Sequence, residues 1–439
     1  MRSAVLRALV RSAALRALAR STALRAPAEH GRLRAMAFRF LHTADLHLDS
    51  PLRSLALRDP DLAGLIAEAS RMSLSASVDL ALEERLDAVL IAGDLYDGGQ
   101  TSMKTARFLA REMARLDAAG IRVFIIRGNH DAASQITREL TLPPGVHVFT
   151  GRATPVAFDA GALRVAIHGL SFLEPQMPES LLPKYRAPLP GHVNLGMMHT
   201  SLGGAAGHDN YAPCTLAELQ AHGFDYWALG HIHKRAEYAG RARVVMPGIP
   251  QGRDIGEPGR GSVTLVQIDD LGAIETRAHP VAQAAFQPVA VALDGVEGWE
   301  DMRRAIRAAL EAQAGAAPHL VARLVLRGDT GLAPRLQRDR DLALAEAQEI
   351  ARALGSVWVE GVRLDLGARA PVAGALGDLA RIIAHDIRPG AAYAQALDEV
   401  QAGLARALPG ELRDAVGTFD DALCEDGIAE ILARLAERA

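Results

Sequence analysis

Cysteine is nearly absent from this chain: Cys214 and Cys424 are the two thiols in 439 residues. That excludes a disulfide framework and a thiolate-rich zinc site together, and it points to a reducing, cytoplasmic setting. Long apolar runs are missing as well. No uncharged stretch approaches the ~18 residues that a membrane-spanning helix requires, so a soluble protein with no membrane association is expected. Lysine is scarce, with Lys104, Lys184 and Lys234 the three among 48 basic residues, a bias that carries no functional reading. A strong net charge is also lacking. Residues 1–35 hold eight arginines and one acidic residue, leaving 40 basic against 51 acidic residues in the body. A protein that coats nucleic acid non-specifically is uniformly basic, so any contact with DNA here has to come from a local patch.

What is present reads as globular: 49% apolar and 23% charged residues, in a chain long enough at ~150 residues per domain for two domains. In residues 1–35, Arg2, Arg7, Arg11, Arg16, Arg20 and Arg25 interrupt every apolar stretch and fall on opposed sides of a helix. No secretory core or amphipathic membrane helix results. A disordered extension, or a start at Met36 just before the first strand, is the expectation. From residue 38 a regular alternation sets in, with short apolar runs at 38–41, 86–92, 121–126, 165–168, 193–198, 226–229, 244–246 and 263–268. Helical spacing over 73–85 and 103–119 separates some of them. This is the α/β pattern of strands buried under helices. Beyond about 270 it changes: strand-like runs at 320–326 and 357–364 mix with helical stretches near 302–312, 342–354, 392–407 and 428–436. A catalytic domain over 36–275 and a smaller α+β cap over 285–439 are therefore expected.

Residue types that bind metals follow five of the strands directly: Asp45 and His47, Asp94, Asn129 with His130, His199, and His231 with His233. In open α/β sheets the carboxyl ends of strands face one cleft, so side chains far apart in sequence can meet there. The two-residue spacing of Asp45 with His47, and of His231 with His233, puts each pair on one side of an extended strand exit. One such piece alone is unremarkable, since Gly-Asn-His-Asp is also a good turn. Five in order, each behind an apolar strand, point to a metal site.

This series resembles the calcineurin-like metallophosphoesterases, whose ordered blocks are Asp-x-His, Gly-Asp-x-x-Asp, Gly-Asn-His-Asp/Glu, His and Gly-His-x-His. The resemblance covers about residues 37–270 and implies a four-layer α/β/β/α sandwich. It also implies a metal held by Asp45, His47, Asp94 and His233, and a second held by Asp94, Asn129, His199 and His231. His130 would be the catalytic histidine, oriented by Asp97, with Asp131 the alternative. The opening residues 41–49 and the segment 247–253 look most like the bacterial DNA repair exonuclease branch, the SbcD/YhaO type. Oxygen and imidazole ligands without thiolate suit Mn²⁺, with Fe²⁺ or Zn²⁺ as alternatives. For Asp49, His42 and His168 structural roles are expected.

The substrate depends on the surroundings. Residues 234–260 carry six basic side chains, Lys234, Arg235, Arg241, Arg243, Arg253 and Arg260, against three acidic ones. A basic rim beside metals suits a polyanionic strand, with Lys234 and Arg253 as candidate substrate contacts. The expected function is Mn²⁺-dependent hydrolysis of DNA phosphodiesters by an exonuclease or endonuclease subunit. The alternative is a phosphodiesterase for small molecules or cyclic nucleotides with the same metals. The resemblance implies a coiled-coil ATPase partner, for which the amphipathic stretch 419–439 is a candidate docking helix. Polarity, strand preference and oligomeric state, a homodimer included, stay open.

Overall fold

A computed structural model describes residues 36–366, apart from 51, 53–58, 98–101, 133–140, 204–210 and 316, then 375–407 and a few later positions. The 1–35 extension lies outside the described residues, and of the 419–439 docking stretch only 423–424, 427–428, 431–432 and 435 are described, all helical.

Two six-stranded sheets lie face to face. In the first, β1 (Met36–Thr43), β2 (Ala88–Ala92), β3 (Arg122–Ile126) and β4 (Val146–Val148) adjoin β11 (Ser262–Asp269) and β12 (Ile274–Pro280) in the order β12-β11-β1-β2-β3-β4. The second runs β5-β6-β7-β8-β10-β9, from β5 (Val156–Ala160), β6 (Leu163–Gly169), β7 (Val193–His199), β8 (Tyr226–Gly230), β9 (Ala236–Tyr238) and β10 (Arg243–Met246). β1 to β4 pair in parallel, as do β6, β7, β8 and β10. Their Val/Ile/Leu-rich runs are buried on both faces, as parallel sheets require.

Period-two alternation assigns each side chain to a layer. Phe38, Phe40, Leu90, Phe124 and Ile126 fill the space between the sheets with Val165, Ile167, Leu195, Met197 and Tyr226. Leu41, Val89, Ile91, Val123 and Ile125 face outward, onto Leu74 and Val78 of α1 (Pro60–Glu83) and Leu109 and Met113 of α2 (Met103–Ala118). The outer face of the second sheet packs Met198, Trp227 and Leu229 against Leu181, Tyr185 and Leu219. The last of these lies on α3 (Leu216–His222), whose Thr215 and Glu218 form a reciprocal capping box. The result is the four-layer α/β/β/α arrangement.

α1 begins thirteen residues before the expected helix. Asp59 caps it by accepting from the Leu62 N–H at 2.9 Å, and Pro60 occupies its first turn, where a missing N–H does no harm. Its early residues Leu62, Ala63 and Ile66 pack under the cap, against Ala284, Phe286 and Val321.

The cap is a wholly parallel three-stranded sheet, β13 (Ala284–Ala292), β14 (His319–Gly328) and β15 (Val357–Leu366). Crossover helices α4 (Trp299–Gln313) and α5 (Arg340–Leu354) bury Ile306, Leu310, Ala347 and Ile350 against Leu320, Leu324 and Leu326. β13 is a strand the sequence pattern did not reveal. Pro288 interrupts its run, which a sheet tolerates at an edge, and β13 is the edge. Buried Gln251 joins the two parts. Its side-chain oxygen accepts the N–H groups of Gln283 (2.8 Å) and Ala284 (3.1 Å), and its amide nitrogen donates to the carbonyl of Ala284 at 2.9 Å. Eight residues on, the Gly259 N–H donates to the Phe286 carbonyl at 2.9 Å.

Candidate metal centre

The polar residues expected at the strand ends sit together at the carboxyl edge of both sheets. Ligand atoms of Asp45, His47 and His233 lie within 4.8 Å of one another, and so do those of Asp94, His199 and His231. Asp94 stands between the groups, with Oδ2 3.3 Å from His199 Nε2 and 3.9 Å from His47 Nε2. Asn129 joins the second group through Oδ1, 3.0 Å from His199 Nε2. All seven expected ligands thus occur in one cluster, but His231 and His233, though two apart, fall in different groups.

The backbone achieves this differently from the extended strand exits expected. Asp45 (φ 55°), His47 (φ 42°), Asp94 (φ 54°) and His231 (φ 101°) are all left-handed, a conformation uncommon outside glycine. Strain of this kind persists where surrounding bonds over-determine it. Here the N–H groups of Asp45 and His47 donate to the carbonyls of Gly93 (3.0 Å) and Asp94 (3.1 Å). Both Asp45 oxygens accept the His231 N–H at 3.0 Å. Glycine is needed at Gly230, because a Cβ there would come 2.1 Å from the Ala92 carbonyl oxygen.

The donor set fits cations on its own chemistry. His47 Nδ1 lies 2.6 Å from Asp97 Oδ1 and His233 Nδ1 lies 2.6 Å from Glu257 Oε1, so each ring gives its Nδ1 proton to a carboxylate. The two Nε2 atoms then face each other at 3.2 Å as lone pairs, which only an inserted cation or an extra proton reconciles. His199 repeats the pattern: Nδ1 bonds the Ala92 carbonyl at 2.9 Å while Nε2 faces the oxygens of Asn129 and Asp94. Burial opposes a charge on His199, yet Asp94 and then Asp45 outweigh it and push its pKa up to about 9. A field that favours an imidazolium so strongly also attracts a metal ion.

Asp97 is shared. It bonds His47 and lies 3.4 Å from Nδ1 of His130, whose half-exposed ring stands at the mouth while the His130 backbone N–H donates to Asp94 Oδ1 at 3.1 Å. Burial lowers the His130 pKa, with Asp94 acting against it. Asp131, the alternative orienting group, is turned away. Its oxygens accept the N–H groups of Leu95, Tyr96 and Gly128 at 2.9 to 3.1 Å and tie two strand-end loops together. Asp49 is held by Arg71 and Thr105, and His168 by Asn194 at 2.9 Å. His42 bonds Tyr226 and the Leu229 carbonyl, and burial lowers its pKa to about 3.

Lys234 is exposed on a cleft of about 670 Å³ that His233, Arg235, Glu257 and Arg260 also line. Arg253 is engaged by carboxylates: Nη2 is 2.7 Å from Glu257 Oε1, and Nη1 is 3.7 Å from Asp97 Oδ1. Glu257 escaped the sequence reading. Its one signal is the i,i+4 spacing from Arg253 in a glycine-rich loop, which is too common to single it out.

Residues 38–235 match the calcineurin-like phosphoesterase family, and residues 286–367 match the middle domain of metallophosphoesterase YhaO. This chain carries a calcineurin-like phosphoesterase domain. Metallophosphoesterase YhaO of Bacillus subtilis, named as uncharacterized, is 37% identical over 248 residues, 55% of this chain and 60% of that protein. The DNA double-strand break repair protein Mre11 of Methanopyrus kandleri is 24% identical over 359 residues, covering 74% of this chain and 76% of its own. The SbcD component of nuclease SbcCD from Rhodobacter capsulatus is 31% identical over 155 residues, 31% of this chain and 35% of its own. The chain thus spans about three fifths of the Bacillus relative. Among the described residues, no helix is long and apolar enough to cross a membrane.

Proposed function

We propose that the chain is the nuclease subunit of a DNA repair complex, hydrolysing DNA phosphodiesters at a dinuclear centre that takes Mn²⁺ in the cytoplasm. The observation that carries the reading is the pair of ligand groups with Asp94 standing between them, in which the Nε2 atoms of His47 and His233 converge at 3.2 Å. Asp45, His47, Asp94 and His233 would hold one cation, and Asp94, Asn129, His199 and His231 the other. Bound there, two divalent ions supply positive charge for a phosphodiester and lower the pKa of the attacking water.

The chain's own residues do the rest. His130, half-exposed beside the pair and backed by Asp97, is placed to give a proton to the leaving oxygen. The cleft beside His233, with Lys234, Arg235 and Arg260, offers cations along which a strand's phosphates can lie. The Methanopyrus relative, named for double-strand break repair, supports DNA as the substrate. Residues 36–275 would be the catalytic domain and 285–439 a cap, with a coiled-coil ATPase as partner.

The test is Mn²⁺-dependent hydrolysis of end-labelled single- and double-stranded DNA beside bis-(p-nitrophenyl) phosphate, by wild type and His130→Ala. DNA degradation that the substitution reduces ~10²-fold or more fits general acid catalysis. Hydrolysis of the small diester with DNA left intact, also in the presence of an ATPase partner, favours the small-molecule phosphodiesterase instead.

A further inference from the structure

The two ligand groups are not supported alike. In the second, His199 rests Nδ1 on a neutral carbonyl, that of Ala92. In the first, both imidazoles rest Nδ1 on carboxylates: His47 on Asp97 and His233 on Glu257, each at 2.6 Å. A carboxylate fixes the tautomer as a carbonyl does, and it also raises the basicity of the ligating nitrogen.

Glu257 reaches His233 from the loop that follows β10. A turn returns the chain, with the Glu257 N–H on the Asp254 carbonyl at 3.1 Å. Arg253 then grips the Glu257 carboxylate through its backbone N–H to Oε2 at 2.8 Å, through Nη2 to Oε1 at 2.7 Å and through Nε to both oxygens at 3.3 Å. An ordinary i,i+4 staple would need nothing more. Here Oε1 is shared with the His233 imidazole, and the same guanidinium approaches Asp97, so one cation offsets both carboxylates that hold the two rings.

We propose that Glu257, held by Arg253, is a positioning residue that orients His233 and strengthens its binding of the cation shared with Asp45 and His47. The assignment rests on the dinuclear reading above and deepens it. It makes the first position the tighter one and gives Arg253 a part in metal retention, separate from any contact with substrate.

Mn²⁺ uptake by the full chain, followed by titration calorimetry and by electron paramagnetic resonance, tests this in Glu257→Ala and the isosteric Glu257→Gln. Loss of a partner behind a ligand typically weakens metal affinity ~10- to 100-fold. The expected result is a loss of that size for one of two equivalents in Glu257→Ala, and a smaller one in Glu257→Gln, which can still accept from Nδ1. The other equivalent should stay within about threefold, and the coupled-pair spectrum should give way to that of isolated Mn²⁺ at stoichiometric loading. A merely structural role would weaken both equivalents together in either variant, and that outcome, or unchanged uptake of both, overturns the assignment while leaving the dinuclear reading intact. Wild-type protein that takes up no divalent cation overturns both.

Discussion

The phosphoesterase domain and the cap solve opposite problems with similar strands. Around the centre, Asp45, His47, Asp94, Asp131 and His199 are all buried, and left-handed backbone recurs after β1, β2 and β8. Such an arrangement is costly unless every charge is paired, and each of these is laced to a neighbouring loop or an imidazole. Among the described residues, the cap core gathers no such cluster: Val289, Ile306, Leu324, Leu326 and Ile350 pack as aliphatic layers. Its one buried carboxylate there, Glu360, is paired at 2.5 Å with half-exposed Arg323. Stability is concentrated where the chain is apolar, and chemistry where it is strained.

The contrast breaks most visibly at Asp94. Asp94→Asn keeps the shape but removes the charge between both ligand groups, so hydrolysis of bis-(p-nitrophenyl) phosphate should fall about 10³-fold, roughly 4 kcal/mol in barrier. Activity within tenfold of wild type would show that the second group works without it. In the cap the readout moves to stability. Leu324→Ala, fully buried, should cost about 2–5 kcal/mol in denaturant unfolding while Mn²⁺ uptake stays unchanged. Altered uptake would mean that packing behind β13, and not the 251–259 segment alone, reaches the centre.

A smaller effect sharpens the comparison inside the phosphoesterase domain. The folded-state pKa of His42, about 3, lies below the ordinary value of 6.5, so as pH falls between them the unfolded chain takes up a proton that the folded one refuses. Stability attributable to a neutral His42 is therefore lost on acidification, by up to about 1.4 kcal/mol per pH unit. Relative to His42→Asn, wild type should show the steeper loss between pH 6 and 4, and parallel pH profiles would contradict it.

Much of this contrast can be read in the chain. Apolar runs of four to seven residues closed by Asp-x-His or Gly-His-x-His announce both the layers and the centre, because burial and ligand chemistry each restrict residue type. What escapes is set by shape. The left-handed conformations of Asp45, His47 and His231 have no signature in residues other than glycine. Glu257 matters through a turn that brings it to a histidine 24 positions earlier, and Pro288 conceals an edge strand. The 1–35 extension lies outside the described residues, and of the C-terminal docking stretch they show helical positions with Leu423, Ile431 and Leu435 exposed.

Gln251 has a mechanical consequence. Its amide grips the first strand of the cap two residues before Arg253 begins its hold on Glu257, and the loop meets the same strand again at Gly259. The segment from 251 to 259 is therefore a tether, fastened at both ends to the cap and in its middle to His233. A pull that shifts the edge strand has to break those bonds or carry Glu257 with it. Retention of a cation by His233 and posture of the cap would then be two readings of one spring.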